Sequence, residues 1–259
     1  MKYIITTANN SDTGSLALAE QLAKRLDKPL VPRNKRSLQV LRESYDVDHL
    51  LVVGRNRVTL VTREGEYYFH PSMSKLRIKQ IKKGCPDPMI QVMDLKQGDS
   101  LLDCTLGLAS DALVSSFVSG PSGRVVGLEG VDLLAALVES GLQTYQDDDP
   151  EVTAAARKIE VKPISYLKYL ESLPDKSFDI VYFDPMFRRP KIRSSAMNPL
   201  RGITIGDAVI PEAIIQGCRV ARKRVVLKET NGSPEFARLG FTRVEGGKYS
   251  PVAYGVIIL

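Results

Sequence analysis

Strand and helix alternate from residue 100 to residue 228, and this pattern constrains the fold more than any other feature of the chain. Ser100–Thr105 reads as a strand and Asp111–Ser119 as a helix. Arg124–Glu129 is the next strand, and Asp132–Leu142 a helix carrying Leu133, Leu134, Leu137 and Val138. Asp147–Pro150 reads as an acidic loop. Ile159–Ile164 is a strand, Tyr166–Ser172 a short helix, Phe178–Asp184 a strand, Ile210–Ala221 a helix and Lys223–Lys228 a strand. Such alternation implies a parallel sheet with helices on both faces. Phe241–Glu245 and Tyr249–Leu259, joined through Gly246-Gly247, then predict an antiparallel hairpin on that sheet.

The first 70 residues have a different rhythm. Ile4–Thr7 is a short strand. Ser11 or Asp12 caps a helix with Leu16, Leu18, Ala19, Leu22, Ala23 and Leu26 on one face. His49–Val53, Arg57–Thr62 and Glu66–Phe69 read as a three-stranded meander turning at Gly54-Arg55-Asn56 and Glu64-Gly65. Residues 71–83 carry Lys75, Arg77, Lys79, Lys82 and Lys83 with no acid, and Gly84-Cys85-Pro86-Asp87-Pro88 is a breaker cluster. The expected division is a small α+β unit over residues 1–86 and a larger unit over 87–259.

Bulk properties narrow the chemistry. With 43% hydrophobic residues in a chain of 259, a full core is expected. The net charge of +6 permits a nucleic-acid partner without requiring one. Cys85, Cys104 and Cys218 are widely spaced, so neither a disulfide framework nor a zinc site is expected, and a reducing cytoplasm fits. The N-terminal apolar run is too short for a signal-peptide core, and no run is long enough to span a membrane. His49 and His70 are the only histidines, too few for chemistry built on several.

Two motifs sit at expected strand ends, where ligands bind in open α/β sheets. The first is Asp103-x-Thr105-x-Gly107-x-x-x-Asp111, followed by Glu129-Gly130 at the end of the next strand. Glycine past the first strand admits a ligand close to the backbone. Asp103 suits an ammonium and Glu129 a ribose diol. Together they suit an adenosine carrying a cationic amino acid. A dinucleotide fits less well, because no Gly-x-Gly-x-x-Gly seats a pyrophosphate. The second motif is Asp184-Pro185-Met186-Phe187. Asp184 and the Pro185 carbonyl can accept from an exocyclic amine, and Phe187 can stack on the ring that bears it. Cys104 reads as a small core residue.

With both motifs in hand, the chain resembles the bacterial small-subunit ribosomal RNA guanine-N2 methyltransferase J family. The matching pieces are Asp103-x-Thr105-x-Gly107-Leu108-x-x-Asp111-Ala112, Leu128-Glu129, Val181-Tyr182-x-Asp184-Pro185-Met186-Phe187 and Arg224-Val225-Val226-x-Lys228, with Met73-Ser74-Lys75-Leu76-Arg77 entering the larger unit. The resemblance implies a class I, Rossmann-like α/β fold with a mostly parallel sheet, a C-terminal antiparallel hairpin and a small N-terminal α+β domain. It implies S-adenosylmethionine as methyl donor, held by Ser110, Asp111, Glu129, Gly130, Ser165, Tyr166 and Asp184. Ser165 either caps the following helix, contacts the adenine, or does both. The acceptor it implies is the N2 amine of a ribosomal guanine. Where the family commonly has Gly-Arg-Asp this chain has Ala109-Ser110-Asp111, and the segment after Phe187 is lengthened.

Lys75, Arg77 and Lys79, together with Arg188, Arg189, Lys191 and Arg193, are the candidate phosphate contacts; a solvated basic face is the plainer reading of the first group. A methyltransferase acting on another amine and a catalytically idle RNA-binding factor are the competing functions. Three acids at strand ends argue against the idle factor.

Overall fold

The computed structural model describes residues 2–185, 208–247 and 250–259. Phe187, Arg188, Arg189, Lys191 and Arg193 therefore lie outside the described residues, as do Met186 and Tyr249.

Two sheets organise the chain. The first has the order β1-β2-β3-β4, formed by β1 (Tyr3–Thr7), β2 (His49–Val53), β3 (Val58–Val61) and β4 (Glu66–Tyr67). β1 pairs with β2 in parallel, and β2, β3 and β4 form the expected antiparallel meander. Helix α1 (Thr13–Leu26) starts at Asp12, whose side chain accepts from the Ser15 amide. Its buried stripe is Ser15, Ala19, Leu22 and Leu26. Leu16, expected on that face, is 46% exposed, because position 15 and not 16 continues the 15-19-22-26 spacing. Helix α2 (Leu38–Ser44) follows.

Helices α3 (Ser72–Lys82) and α4 (Pro88–Met93) lead into the second sheet. The breaker cluster thus contains the start of a helix: Asp87 caps it, with Pro88 in its first turn. Proline at that position gives up an amide that has no intrahelical partner anyway. The supposed acidic loop at Asp147–Pro150 is similar, because Asp149 accepts from the Glu151 amide and Pro150 opens α7 (Pro150–Arg157).

The larger sheet contains β5 (Ser100–Asp103), β6 (Arg124–Leu128), β7 (Glu160–Lys162), β8 (Phe178–Phe183), β9 (Ala221–Thr230), β10 (Arg243–Glu245) and β11 (Val252–Ile258). Their order is β7-β6-β5-β8-β9-β11-β10. Only β11 runs against the others. Helices α5 (Ser110–Ser119), α6 (Asp132–Thr144), α8 (Tyr166–Ser172), α9 (Pro211–Val220) and the short α10 (Glu235–Arg238) complete the chain. Leu101, Ile180, Tyr182 and Val226 face one core; Leu102, Val181, Phe183 and Val225 face the other. This two-sided burial is what a helix-covered parallel sheet requires.

The first core also takes in Ile5, Leu51, Leu60 and Phe69 from the N-terminal strands and their flank. α6 packs on β3 and α1, and α3 packs on α5. We propose that the division after residue 86 is topological, since the two sheets share one core. Strand order reverses between β5 and β8, so a ligand crevice is expected beyond their carboxyl ends.

Candidate active site

A cavity of about 720 Å³ lies there, a volume in the range of small-molecule and cofactor sites. Asp103, Thr105, Gly107, Ser110, Asp111, Glu129, Gly130, Ser165, Tyr166, Asp184 and Pro185 all line it. These residues come from four separate strand ends, and only the sheet brings them together.

The turn after β5 forms the floor. Asp103 accepts from the Thr105 amide at 3.0 Å, and Gly107 has a φ of 50°, in the left-handed region. Ala109, where the resembled family commonly has glycine, takes a φ of 58° and is fully buried. A non-glycine residue held there carries local strain of the kind concentrated at functional sites. Burial pushes the Asp103 carboxyl up to about 8, and the Thr105 amide opposes this only in part.

Glu129 follows β6 and is 9% exposed. It accepts from the Val131 amide at 3.0 Å, and the Gly107 and Gly130 amides also stabilise its charged form. Burial outweighs these bonds and raises its pKa. Ser165 occupies the N-cap position of α8, but its side chain makes no capping bond. Of its two expected roles, the structure therefore shows the position of a cap without its hydrogen bond. Tyr166 meets Phe183 edge-on, with ring centroids 5.9 Å apart.

Asp184 closes β8. Its amide donates to Thr105 Oγ1 at 2.6 Å, and its Oδ2 accepts from Lys228 Nζ at 2.7 Å. Burial pushes its carboxyl up to about 6; Lys228 pulls it down and Asp111 pushes it further up. Asp111 accepts from Lys228 Nζ at 2.8 Å, from Tyr182 Oη at 2.7 Å and from Arg77. Burial acts against its charge, yet Lys228 and Arg77 hold it well below the usual carboxylate range.

Two expectations change here. Arg77, expected as a phosphate contact, lines the cavity and binds Asp87 through Nε and Nη2 at 2.8 and 2.9 Å while reaching Asp111. Its side chain is 23% exposed and is committed inward. Asp111, expected to hold the methyl donor, is committed to three protein donors. Lys75 remains 44% exposed but pairs with Asp147 at 2.7 Å, and Lys79 is exposed. The acids of residues 147–151, distant in sequence, thus neutralise part of the basic helix.

Lys228 also lines the cavity, and sequence reasoning left it without a role. A cation directly after the apolar run Val225-Val226-Leu227 was the available signal. Among the described residues, no group of three or more His, Cys, Asp or Glu could hold a metal ion, and no helix is long and apolar enough to cross a membrane.

The residues present fit an adenosine bearing a cationic amino acid. Two carboxyl groups stand at neighbouring strand ends, and Gly107 leaves room between them: the nearest atom to a Cβ added there is 3.9 Å away.

Comparison with known proteins places the chain in a family. Residues 35–244 match the family model described as "Putative SAM-dependent methyltransferase". A Bacillus subtilis protein named YpiP is 41% identical over 98% of both chains. The Ribosomal RNA small subunit methyltransferase J of Coxiella burnetii is 26% identical over 84% of both. The crystal structure of a SAM-dependent methyltransferase from Neisseria gonorrhoeae superposes with a TM-score of 0.68 at 18% identity, covering 98% of this chain and 95% of that one. That likeness establishes the fold.

Proposed function

The chain belongs to the SAM-dependent methyltransferase family that this model describes, and we propose that it methylates the exocyclic N2 amine of a guanine in small-subunit ribosomal RNA, in the cytoplasm. The observation that carries this reading is Asp184-Pro185 at the cavity edge, beside the proposed donor site. The relative named for small-subunit ribosomal RNA directs the choice of substrate.

S-adenosylmethionine supplies an electrophilic methyl on a sulfonium. The protein's part is to place the two reactants. We assign Asp103 to the donor's ammonium and Glu129 to its ribose diol. Ser110, Gly130, Ser165 and Tyr166 line the remainder, and Thr105 fixes the Asp184 backbone. Asp184 and the Pro185 carbonyl accept from the acceptor NH2. These bonds favour a pyramidal nitrogen whose lone pair is less delocalised into the base. Catalysis then rests on positioning and a preorganised polar environment. Phe187, by its place in the motif, is assigned to stacking on the base.

The test is methyl transfer from radiolabelled donor to small ribosomal subunits taken from a strain lacking this gene. Label should enter their RNA and not that of wild-type subunits, and Asp184→Ala should abolish incorporation while donor binding persists. Label in neither RNA, with the donor bound, would move the substrate to another amine. Wild-type turnover by Asp184→Ala would remove Asp184 from the chemistry.

A further inference from the structure

One ammonium, its side chain 20% exposed, joins two carboxylates at the end of β8. Phe183 pairs with Leu227, so Lys228 is brought beside Asp184, and Tyr254 of β11 pairs with Lys228 on its other side. Lys228 Nζ donates to Asp184 Oδ2 at 2.7 Å and to Asp111 Oδ2 at 2.8 Å. Asp111 is itself held by Tyr182 Oη at 2.7 Å and by Arg77, which forks onto Asp87 at 2.8 and 2.9 Å. The chain Asp87–Arg77–Asp111–Lys228–Asp184 thus runs from α4 through α3, α5 and β9 to the strand end.

A carboxylate on a strand end, left alone, samples rotamers and hydrates. An ammonium anchored elsewhere restricts it through a charge-assisted hydrogen bond. The cation has a second effect. Burial and the neighbouring Asp111 both favour protonation of Asp184, and a protonated carboxyl that donates is a poorer acceptor for an NH2 group.

We propose that Lys228 is a positioning residue for methyl transfer: shared between Asp111 and Asp184, it engages Asp184 Oδ2, presents Oδ1 to the acceptor amine and keeps that carboxylate an acceptor. This rests on reading Asp184 as the amine's acceptor. Among the described residues, the titratable and charged groups that face Asp184 are Lys228 from β9, Asp111 from α5, Asp103 from β5 and Tyr182 of its own strand. Tyr182 of β8, Arg77 of α3 and Tyr254 of β11 stand around Lys228 and Asp111.

The experiment compares wild type, Lys228→Met, Lys228→Arg and Asp184→Asn. The double variant Lys228→Met/Asp111→Asn removes one cation and one anion together, which guards against misfolding from an unpaired buried charge. Each is measured for donor affinity by calorimetry, for kcat and KM on the RNA over pH 5–9, and for the Asp184 carboxyl by carbon-13 NMR titration. Lys228→Met and the double variant should lose roughly 100-fold in kcat, the scale of a displaced catalytic group, with donor affinity and KM little changed. The acidic limb of Lys228→Met should move alkaline by about one pH unit or more, with the Asp184 titration following it; in the double variant the loss of Asp111, which favours protonation of Asp184, offsets part of that movement. Lys228→Arg should recover part of kcat. Wild-type kcat in both Met variants and an unmoved Asp184 midpoint in Lys228→Met, with Asp184→Asn inactive, would overturn the role of Lys228 alone. Wild-type turnover by Asp184→Asn would overturn the acceptor assignment, and the proposal with it.

Discussion

Donor binding should be coupled to ionisation of Asp103, and the coupling has a calculable size. Asp103 is 2% exposed, and burial is the main reason its carboxyl is pushed up to about 8. An ammonium pairs with the carboxylate and gains little from the acid. Two units below that midpoint, at pH 6, about one molecule in a hundred is ionised, a handicap of ~2.7 kcal/mol. Donor affinity should therefore fall about tenfold per pH unit between 7.5 and 5.5, and each binding event should release a proton. The donor's own amino group titrates near 8, which is why the window stops at 7.5. The assay is calorimetric titration with S-adenosylmethionine in two buffers of different ionisation enthalpy. Asp103→Asn keeps the shape and removes the charge. It should flatten the pH dependence and weaken binding at pH 7.5 by roughly 100-fold, the upper end for a charged hydrogen bond, because wild-type affinity falls no further than that of an uncharged side chain. Constant wild-type affinity across the window, or a slope surviving in Asp103→Asn, would refute the reasoning.

Gly141→Ala should lower the urea midpoint: the new Cβ would lie 2.1 Å from Phe69 Cβ, where α6 meets the N-terminal unit. Helix propensity favours alanine by about 1 kcal/mol, and overpacking against a buried ring costs about 1–3, so steric conflict should win; an unchanged midpoint would show that Phe69 moves freely. Asp179 is pushed up by burial but held well below the usual range overall by Arg222 and by the amide and hydroxyl of Ser100. Its contribution to stability is present above the unfolded carboxyl range and is lost as pH falls through its depressed folded pKa. Asp179→Asn should thus be less stable than wild type at pH 7 and lose less on acidification, read by thermal unfolding at both pH values. RNA affinity should fall steeply with salt, and Lys79→Ala should reduce the log–log slope by about one. Lys75→Ala should reduce it less, because Lys75 already pairs with Asp147; equal reductions would mean that the pair opens on RNA.

The amino-acid sequence by itself determined the larger sheet, because helix and strand periodicities are local and two-sided burial leaves apolar runs such as Ile180–Phe183. It also carried the acids and the glycine that line the cavity, since strand ends in this topology converge wherever the strands themselves are found. It set Asp184-Pro185 apart as a strand end but missed that the other two Asp-Pro pairs start helices. Asp87-Pro88 and Asp149-Pro150 open helices, whereas Asp184-Pro185 ends a strand at the cavity. The dipeptide is the same in each, and its setting is decided by what packs around it. Tertiary structure alone turned Arg77 inward and spent part of the basic helix on residues 147–151. It alone placed Lys228 between Asp111 and Asp184, residues 117 and 44 positions away in the chain. Charge pairing across a sheet depends on strand order and register, and those follow from burying the whole core at once.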